Sequence, residues 1–317
     1  MSDINRSRRI LDLRMNMDHS TMMKILDEFA GRYRNLSIAT MGQSILGRII
    51  PMIRLGAPET EGRERHRILY IGSHHGTEWI TTSLLMRFIN EYCELLKSDG
   101  MAEGIRVNRV NSLCGIYIIP MLNPDGVDYA INGVGEDNVL YSRLTGMNGG
   151  SKDFSHWQAN ARGVDLNHNY NAGFSDYKKL EAENNIPLGA PTRYSGESPE
   201  SEPETAYLCN YLRFNEPFGA ALTLHTQGEE IYYSSGDTIV PESERLACYL
   251  ARISGYRTAK PTGLAAYGGF TDWFIREFGR PSFTFECGRG ENPLPISQMP
   301  SMYLRLRRVF FELPMLV

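Results

Sequence analysis

The sequence predicts an α/β protein: a single domain with a largely parallel sheet and helices on both faces. Short apolar runs of strand length alternate with longer amphipathic stretches along all 317 residues, the pattern of strand–helix–strand units. No repeat, low-complexity tract or linker rich in Pro, Gly or Ser interrupts that alternation, so residues 1–317 are read as one domain. Three of the apolar runs also lead directly into His or Glu residues, as strands do when an open α/β sheet carries its site beyond their carboxyl ends.

Taken in order, residues 22–33 form a helix with Met22, Ile25, Leu26, Phe29 and Tyr33 on one face. Residues 67–72 are a short buried strand. Residues 77–97 follow as a long helix with Ile80, Leu84, Leu85, Phe88, Tyr92 and Leu95 at helical spacing. The next strand, 115–120, runs to the turn signal Asn123-Pro124-Asp125-Gly126. Residues 201–214 open with Ser-Glu-Pro-Glu, suited to a first helical turn. A strand at 219–225, a helix at 242–253, a strand at 281–286 and a closing helix at 302–313 complete the pattern. Residues 132–160 are polar and Gly-rich without periodicity. Irregular stretches of that length are usually functional, which places them at the rim of a cleft.

Composition narrows the function by exclusion. Hydrophobic residues at 42% and charged residues at 22% are those of an ordinary globular chain. A net charge of −4 and a pI near 6.0 give no electrostatic reason for a nucleic-acid or anionic-membrane partner. The five cysteines are scattered without a CxxC pair, which excludes a thiolate zinc cluster and suits free thiols in a reducing compartment. Residues 1–14 are charged and lack an apolar core, so no secretory signal is expected. No apolar run approaches bilayer length. The expectation is a soluble, cytoplasmic protein.

The chemistry gathers where strands end. Residues 68–72 lead to His74-His75-Gly76-Thr77-Glu78, 220–224 lead to His225, and 282–285 lead to Glu286. His75 and Glu78 lie three apart across a tight loop and can turn to one point. Two imidazoles and one carboxylate leave a fourth zinc position open for water, the arrangement of catalytic rather than structural sites. His74 is the internal competitor. Pairing it with Glu78 would need helical spacing, and Gly76 favours a loop, hence His75.

Five segments occur in order: Gly72-Ser73-His74-His75-Gly76-Thr77-Glu78-Trp79, Asn123-Pro124-Asp125-Gly126, Arg162-Gly163-Val164-Asp165-Leu166-Asn167, Leu222-Thr223-Leu224-His225 and Phe283-Thr284-Phe285-Glu286. Over nearly the whole chain this series resembles the zinc carboxypeptidases of the carboxypeptidase A type. The resemblance implies a three-layer α/β/α domain around a mixed, mostly parallel eight-stranded sheet. It implies Zn2+ held by His75, Glu78 and His225, with Glu286 as the general base that takes a proton from the attacking water. It makes Asp165 the carboxylate that fixes the tautomer of His75, Asn167 a substrate-binding amide, and Thr226–Gln227 a cis peptide. Arg162 lies near the oxyanion-stabilising arginine, although alignment just after Trp157 puts Gln158 there instead.

Two departures bear on the substrate. Where carboxypeptidases carry Asn-Arg, this chain has Asn167-His168, and His cannot reproduce a bidentate carboxylate clamp. The position of the family's mobile tyrosine falls at Leu264, with Tyr267 close by. The segments 225–232 and 285–295 resemble those of bacterial γ-D-glutamyl-L-diamino acid peptidases, which cut the bond between γ-D-glutamate and diaminopimelate in peptidoglycan stem peptides. The implied partner is then a muropeptide, with His168, Tyr267 and above all Arg289 as substrate contacts. Arg193 and Arg276 are further candidates for that contact, but without motif support each reads first as an ordinary surface arginine. The alternatives are a metallocarboxypeptidase on ordinary peptides, a zinc-bearing binding module without turnover, for which Glu286 would be superfluous, and a deacylase.

Overall fold

The computed structural model describes residues 13–56, 66–215, 218–236 and 238–317; residues 1–12, read above as no secretory signal, lie outside the described residues. The sheet has eight strands: β1 (Ser37–Gln43), β2 (Ile49–Leu55), β3 (His66–Ile71), β4 (Cys114–Ile119), β5 (Ala220–His225), β6 (Glu230–Tyr232), β7 (Arg257–Thr258) and β8 (Ser282–Glu286). Their order is β1-β2-β4-β3-β5-β8-β6-β7. The four central strands are mutually parallel, and antiparallel neighbours join them on both sides.

Alternation along these strands sorts side chains onto two faces. Ile68, Tyr70, Leu222, Leu224, Phe283 and Phe285 face one buried cluster, shared with helices Ile80–Lys97 and Met299–Glu312. Leu69, Ile71 and Ala221 face the other, shared with helices Pro203–Phe214 and Phe270–Phe278. Helices therefore cover both faces, as expected from the interleaved pattern.

Register decides what happens at the strand ends. In the parallel β5–β8 pair Ala221 lies beside Ser282, Thr223 beside Thr284 and His225 beside Glu286. Paired residues share a face, so His225 and Glu286 emerge side by side on the face where hydroxyls replace aliphatic groups. The Thr223, Thr271 and Thr284 hydroxyls hydrogen-bond one another there.

Three local features differ from the sequence reading. The hairpin β1–β2 was not anticipated: β1 is a largely exposed edge strand, and β2 contains Pro51, a residue found in strands only at edges or bulges. Pairing of β2 to β4 covers only Ile53–Leu55, so Pro51 lies where β2 has no second neighbour. The helix expected from residue 77 begins with a 3-10 turn at Gly76–Glu78 and becomes α-helical at Ile80. Residues 132–160 contain a short helix, Tyr141–Met147, and a small core of Tyr129, Leu144, Phe154 and Trp157. That core holds the rim: the Gly76 N–H donates to the Gln158 carbonyl at 2.8 Å. A side chain at Gly76 would collide with the backbone of Gly126 and Trp157, so this approach requires glycine.

Glu204, in the first turn of helix Pro203–Phe214, is fully buried. It accepts from the Ile45 N–H at 3.4 Å and from the Asn160 amide at 3.4 Å. Burial, joined by nearby Asp125 and Glu202, pushes its carboxyl up to about 8. The native state then holds a proton that the unfolded chain releases at the ordinary carboxyl value, so stability falls as pH rises between the two. Glu204→Gln mimics the protonated group. It is expected to raise stability at pH 9 by about 1–3 kcal/mol and to change it little at pH 5, as measured by urea unfolding.

Candidate metal and catalytic centre

His75 stands just before the Gly76–Glu78 turn in extended conformation, and that single turn swings Glu78 back toward it. His75 Nδ1 lies 2.9 Å from Glu78 Oε1, His225 Nδ1 lies 3.0 Å from Glu78 Oε2, and the two Nδ1 atoms are 3.3 Å apart. Two imidazole nitrogens aimed at one point beside a buried carboxylate call for a proton or a cation between them. Among the described residues the buried Glu78 Oε2 meets no polar partner but the His225 imidazole, so the donor set fits a divalent metal ion. Among the described residues this is the one cluster of three His, Cys, Asp or Glu side chains placed to hold a metal. Against the effect of burial, His75 and His225 hold the Glu78 carboxyl down to about 2, so it is ionised and ready to ligate.

On its far side His75 meets Asp165, with Nε2 3.0 Å from Oδ1. Asp165 accepts also from the backbone N–H groups of Asn167 at 3.1 Å and Arg193 at 3.0 Å. Although burial opposes it, His75, His168 and the Arg193 N–H keep its carboxyl well below the usual range. An ionised Asp165 selects the tautomer with hydrogen on Nε2, leaving the Nδ1 lone pair for a metal. His74 is turned away: its Nε2 lies 3.0 Å from the Tyr170 hydroxyl and its ring stacks on His225. The Thr226–Gln227 peptide after His225 is cis.

Glu286 completes the group. Burial, then the nearby Glu78 carboxylate, pushes its carboxyl well above the ordinary value. It faces a cleft of about 380 Å³ that also exposes His75, Gln158, Asn167, Arg193 and Asp272.

The sequence profile of the zinc carboxypeptidases matches residues 22–305. The chain belongs to that family. It is a zinc metallopeptidase acting on a peptide-type substrate. Among its relatives is the γ-D-glutamyl-L-diamino acid endopeptidase 1 of Lysinibacillus sphaericus, 34% identical over 95% of this chain and 73% of the relative. The uncharacterized protein YqgT of Bacillus subtilis (strain 168) is 30% identical over 90% of this chain and 74% of its own length. The crystal structure of thrombin activatable fibrinolysis inhibitor superposes with a TM-score of 0.73 at 19% identity, covering 99% of this chain and 78% of that one, which shows the fold. No helix among the described residues is long and apolar enough to cross a membrane.

Within this zinc carboxypeptidase the other expected site residues divide. His75, Glu78, His225, Glu286, Asp165, Asn167 and His168 come together. Asn167 fixes its carbonyl oxygen on the Phe270 N–H at 3.1 Å. His168 Nδ1 lies 2.9 Å from the Tyr267 carbonyl, which can only accept, so that nitrogen carries the hydrogen. Its ring stacks on Tyr177 at 3.9 Å, and burial lowers its pKa. Three residues fall elsewhere. Arg162 is half exposed, 3.7 Å from Glu202, and outside the cleft. Gln158 lines the cleft instead; its side-chain carbonyl is taken by the Thr192 hydroxyl, leaving the NH2 to donate. Tyr267 lies over Gly173 with φ 63°, outside the cleft lining. Arg289 is 76% exposed and bound to Glu229 at 2.6 Å, again outside.

One cleft residue escaped the sequence reading, and one was weighed in it without motif support. Asp272, in the first turn of helix Phe270–Phe278, is 8% exposed, and burial pushes its carboxyl up to about 6. Its position within the Gly268–Trp273 run was the available signal. Arg193 had none.

Metal analysis checks the cluster. Wild type should retain about one zinc per chain after dialysis, and His225→Ala should lose most of it. Asp165→Asn, which keeps all three donors, should weaken zinc affinity about 10–100-fold.

Proposed function

We propose that this metallopeptidase hydrolyses the amide bond between γ-D-glutamate and a diamino acid such as diaminopimelate in peptidoglycan stem peptides. Its single domain, 1–317, acts in the cytoplasm on released muropeptides. The observation that carries this reading is the 34% likeness, over 95% of the chain, to a γ-D-glutamyl-L-diamino acid endopeptidase. A buried, stacked His168 where ordinary carboxypeptidases clamp a terminal carboxylate agrees with it.

In this reading His75, Glu78 and His225 are the zinc ligands. When bound, zinc supplies Lewis acidity, lowering the pKa of water and polarising the scissile carbonyl, while its charge opposes the upward push on Glu286. Asp165 holds the His75 ring and tautomer. Glu286 accepts a proton from the attacking water, whose oxygen bonds to the carbonyl carbon. The carbon–nitrogen bond then breaks, and Glu286 returns the proton to the leaving amine. The Gln158 NH2 and the Asn167 side chain donate to substrate oxygens.

Mass spectrometry of defined muropeptides tests the substrate. The zinc form should split tripeptides and tetrapeptides containing γ-D-glutamyl-diaminopimelate at that bond, and leave hippuryl-type peptides intact. Trimming of the ordinary peptides alone would make the chain a metallocarboxypeptidase. Glu286→Gln should keep zinc and fold while losing about two to four orders of magnitude in turnover; near-normal turnover would assign the proton transfer to another group.

A further inference from the structure

Among the described residues the cleft is lined by four carboxyl groups and one guanidinium-bearing side chain. Glu78, Asp165, Asp272 and Glu286 line it, and Arg193 is the one Lys or Arg side chain among the described lining residues. A stem peptide is itself rich in carboxylates, so an anionic substrate entering this cleft needs a cation. His168 does not supply it: its ring is 7% exposed, stacked on Tyr177, and its Nδ1 is committed to the Tyr267 carbonyl. Arg289 and Arg162 are paired with Glu229 and Glu202 outside the cleft. Arg276 donates through Nε to the Ser235 hydroxyl at 2.7 Å and does not line it.

Arg193 differs from all of these. Its side chain is exposed, and its guanidinium has no hydrogen-bond or ion-pair partner among the described residues. Its backbone, by contrast, is tightly held. The φ of 69° lies in the left-handed region, which costs a non-glycine residue about 1–2 kcal/mol. Two hydrogen bonds maintain it: the Arg193 N–H donates to Asp165 Oδ2 at 3.0 Å, and the Tyr177 hydroxyl donates to the Arg193 carbonyl at 2.9 Å. Asp165 uses its other oxygen on His75. One carboxylate therefore ties the base of Arg193 to a metal-binding imidazole, and the Tyr177 that anchors the other side is the ring under His168. Strain maintained by surrounding bonds is a mark of a functional position. Here it sets an exposed, unpaired guanidinium-bearing side chain on the lining of the cleft.

We propose that Arg193 binds a free carboxylate of the substrate through its guanidinium, taking the clamping task that His168 cannot perform. The assignment rests on the muropeptide reading for the identity of that carboxylate, which belongs either to the α-carbon of the γ-linked glutamate or to the diamino acid. A planar guanidinium matches either group with two parallel N–H donors.

The test uses two series of matched substrates on the zinc-loaded enzyme. The first contains γ-D-glutamyl-diaminopimelate peptides with the glutamate or the diamino acid carboxylate amidated in turn. The second contains ordinary peptides with a free or amidated C-terminus. Arg193→Asn removes the cation and retains a residue tolerant of left-handed backbone; Arg193→Lys retains charge without the fork. In whichever series wild type hydrolyses, Arg193→Asn should reduce kcat/KM for the free acid by about 10–100-fold. It should leave the corresponding amide nearly unchanged and carry most of the loss in KM. Arg193→Lys should recover part of the preference. The amide whose hydrolysis becomes insensitive to the mutation identifies the carboxylate. Activity confined to the ordinary peptides would overturn the muropeptide reading while still measuring Arg193. An unchanged preference for free acid over amide in a folded, zinc-loaded Arg193→Asn enzyme would overturn the role of Arg193.

Discussion

The parallel register of β5 and β8 is the constraint on which the centre depends. Side chains of a strand alternate between faces, so a slip of one residue would send either His225 or Glu286 into the opposite, apolar cluster. With His225 beside Glu286 both emerge together, and the backbone repeats the tie one residue on, where the Cys287 N–H donates to the His225 carbonyl at 2.7 Å. The register itself is held by the residues behind it. Leu222, Leu224, Phe283 and Phe285 are all completely buried on one face, and a slip would expose them to the hydroxyl-lined side. Apolar packing on one side of the sheet therefore positions the polar chemistry on the other.

The third strand contributes differently. β3 ends at Ile71, and His75 and Glu78 lie beyond it in a loop and a 3-10 turn. No ladder fixes them, so buried polar groups do. Asn123 donates to the carbonyls of His74 at 3.1 Å and Gln158 at 3.2 Å. Ser73 bonds the Glu78 carbonyl and the Thr81 and Thr82 hydroxyls. Asp165 holds the outer edge of His75. Buried polar networks of this kind are rigid when every member is satisfied. They also leave Glu78 Oε2, His225 Nδ1 and His75 Nδ1 directed at a shared point.

What could be read in advance follows from this division of labour. The central strands and the helices over them were legible because burial on both faces leaves long apolar runs and a clear 3.6-residue period. The outer strands β1, β2, β6 and β7 were not: β1 is largely exposed, Pro51 interrupts β2, and β6 and β7 are only three and two residues long. Within the site, the residues that close a strand or a tight turn were legible from position alone: His75, Glu78, His225 and Glu286 each follow an apolar run. That Arg289 and Tyr267 lie outside the cleft lining while Arg193 is part of it has a common reason. Tyr267 and Arg193 have φ of 63° and 69°, and Arg289 lies between Gly288 and Gly290 at φ 74° and 120°. Left-handed backbone reverses the direction of a side chain without leaving a trace in hydropathy or spacing. Arg162 failed on register instead: Trp157 and Gln158 begin the loop four residues earlier, and the Asn160 carbonyl oxygen of its side chain, accepting from the Arg162 and Val164 N–H groups, turns Arg162 outward.

His168, where the resemblance to the carboxypeptidases implies an arginine, bears on the shape of the ligand. An arginine on that short turn would reach a carboxylate from within the wall, which suits a chain terminus pushed end-on into the cleft. Here the wall is closed: His168 and Tyr177 fill the space with stacked rings 3.9 Å apart. A cation carried instead on the exposed 192–193 segment approaches from the rim. It can meet a carboxylate that branches from the substrate beside the scissile bond, and it leaves the direction beyond that bond open. γ-Linked glutamate and the diamino acids carry carboxylates of that branching kind. A histidine that supplies no end-on clamp is thus compatible with recognition by a rim arginine, provided that the strained backbone at Arg193 is maintained. Asp165 accepts from the Arg193 N–H with one oxygen and meets His75 with the other, so one carboxylate holds both the backbone at Arg193 and the imidazole of the metal cluster.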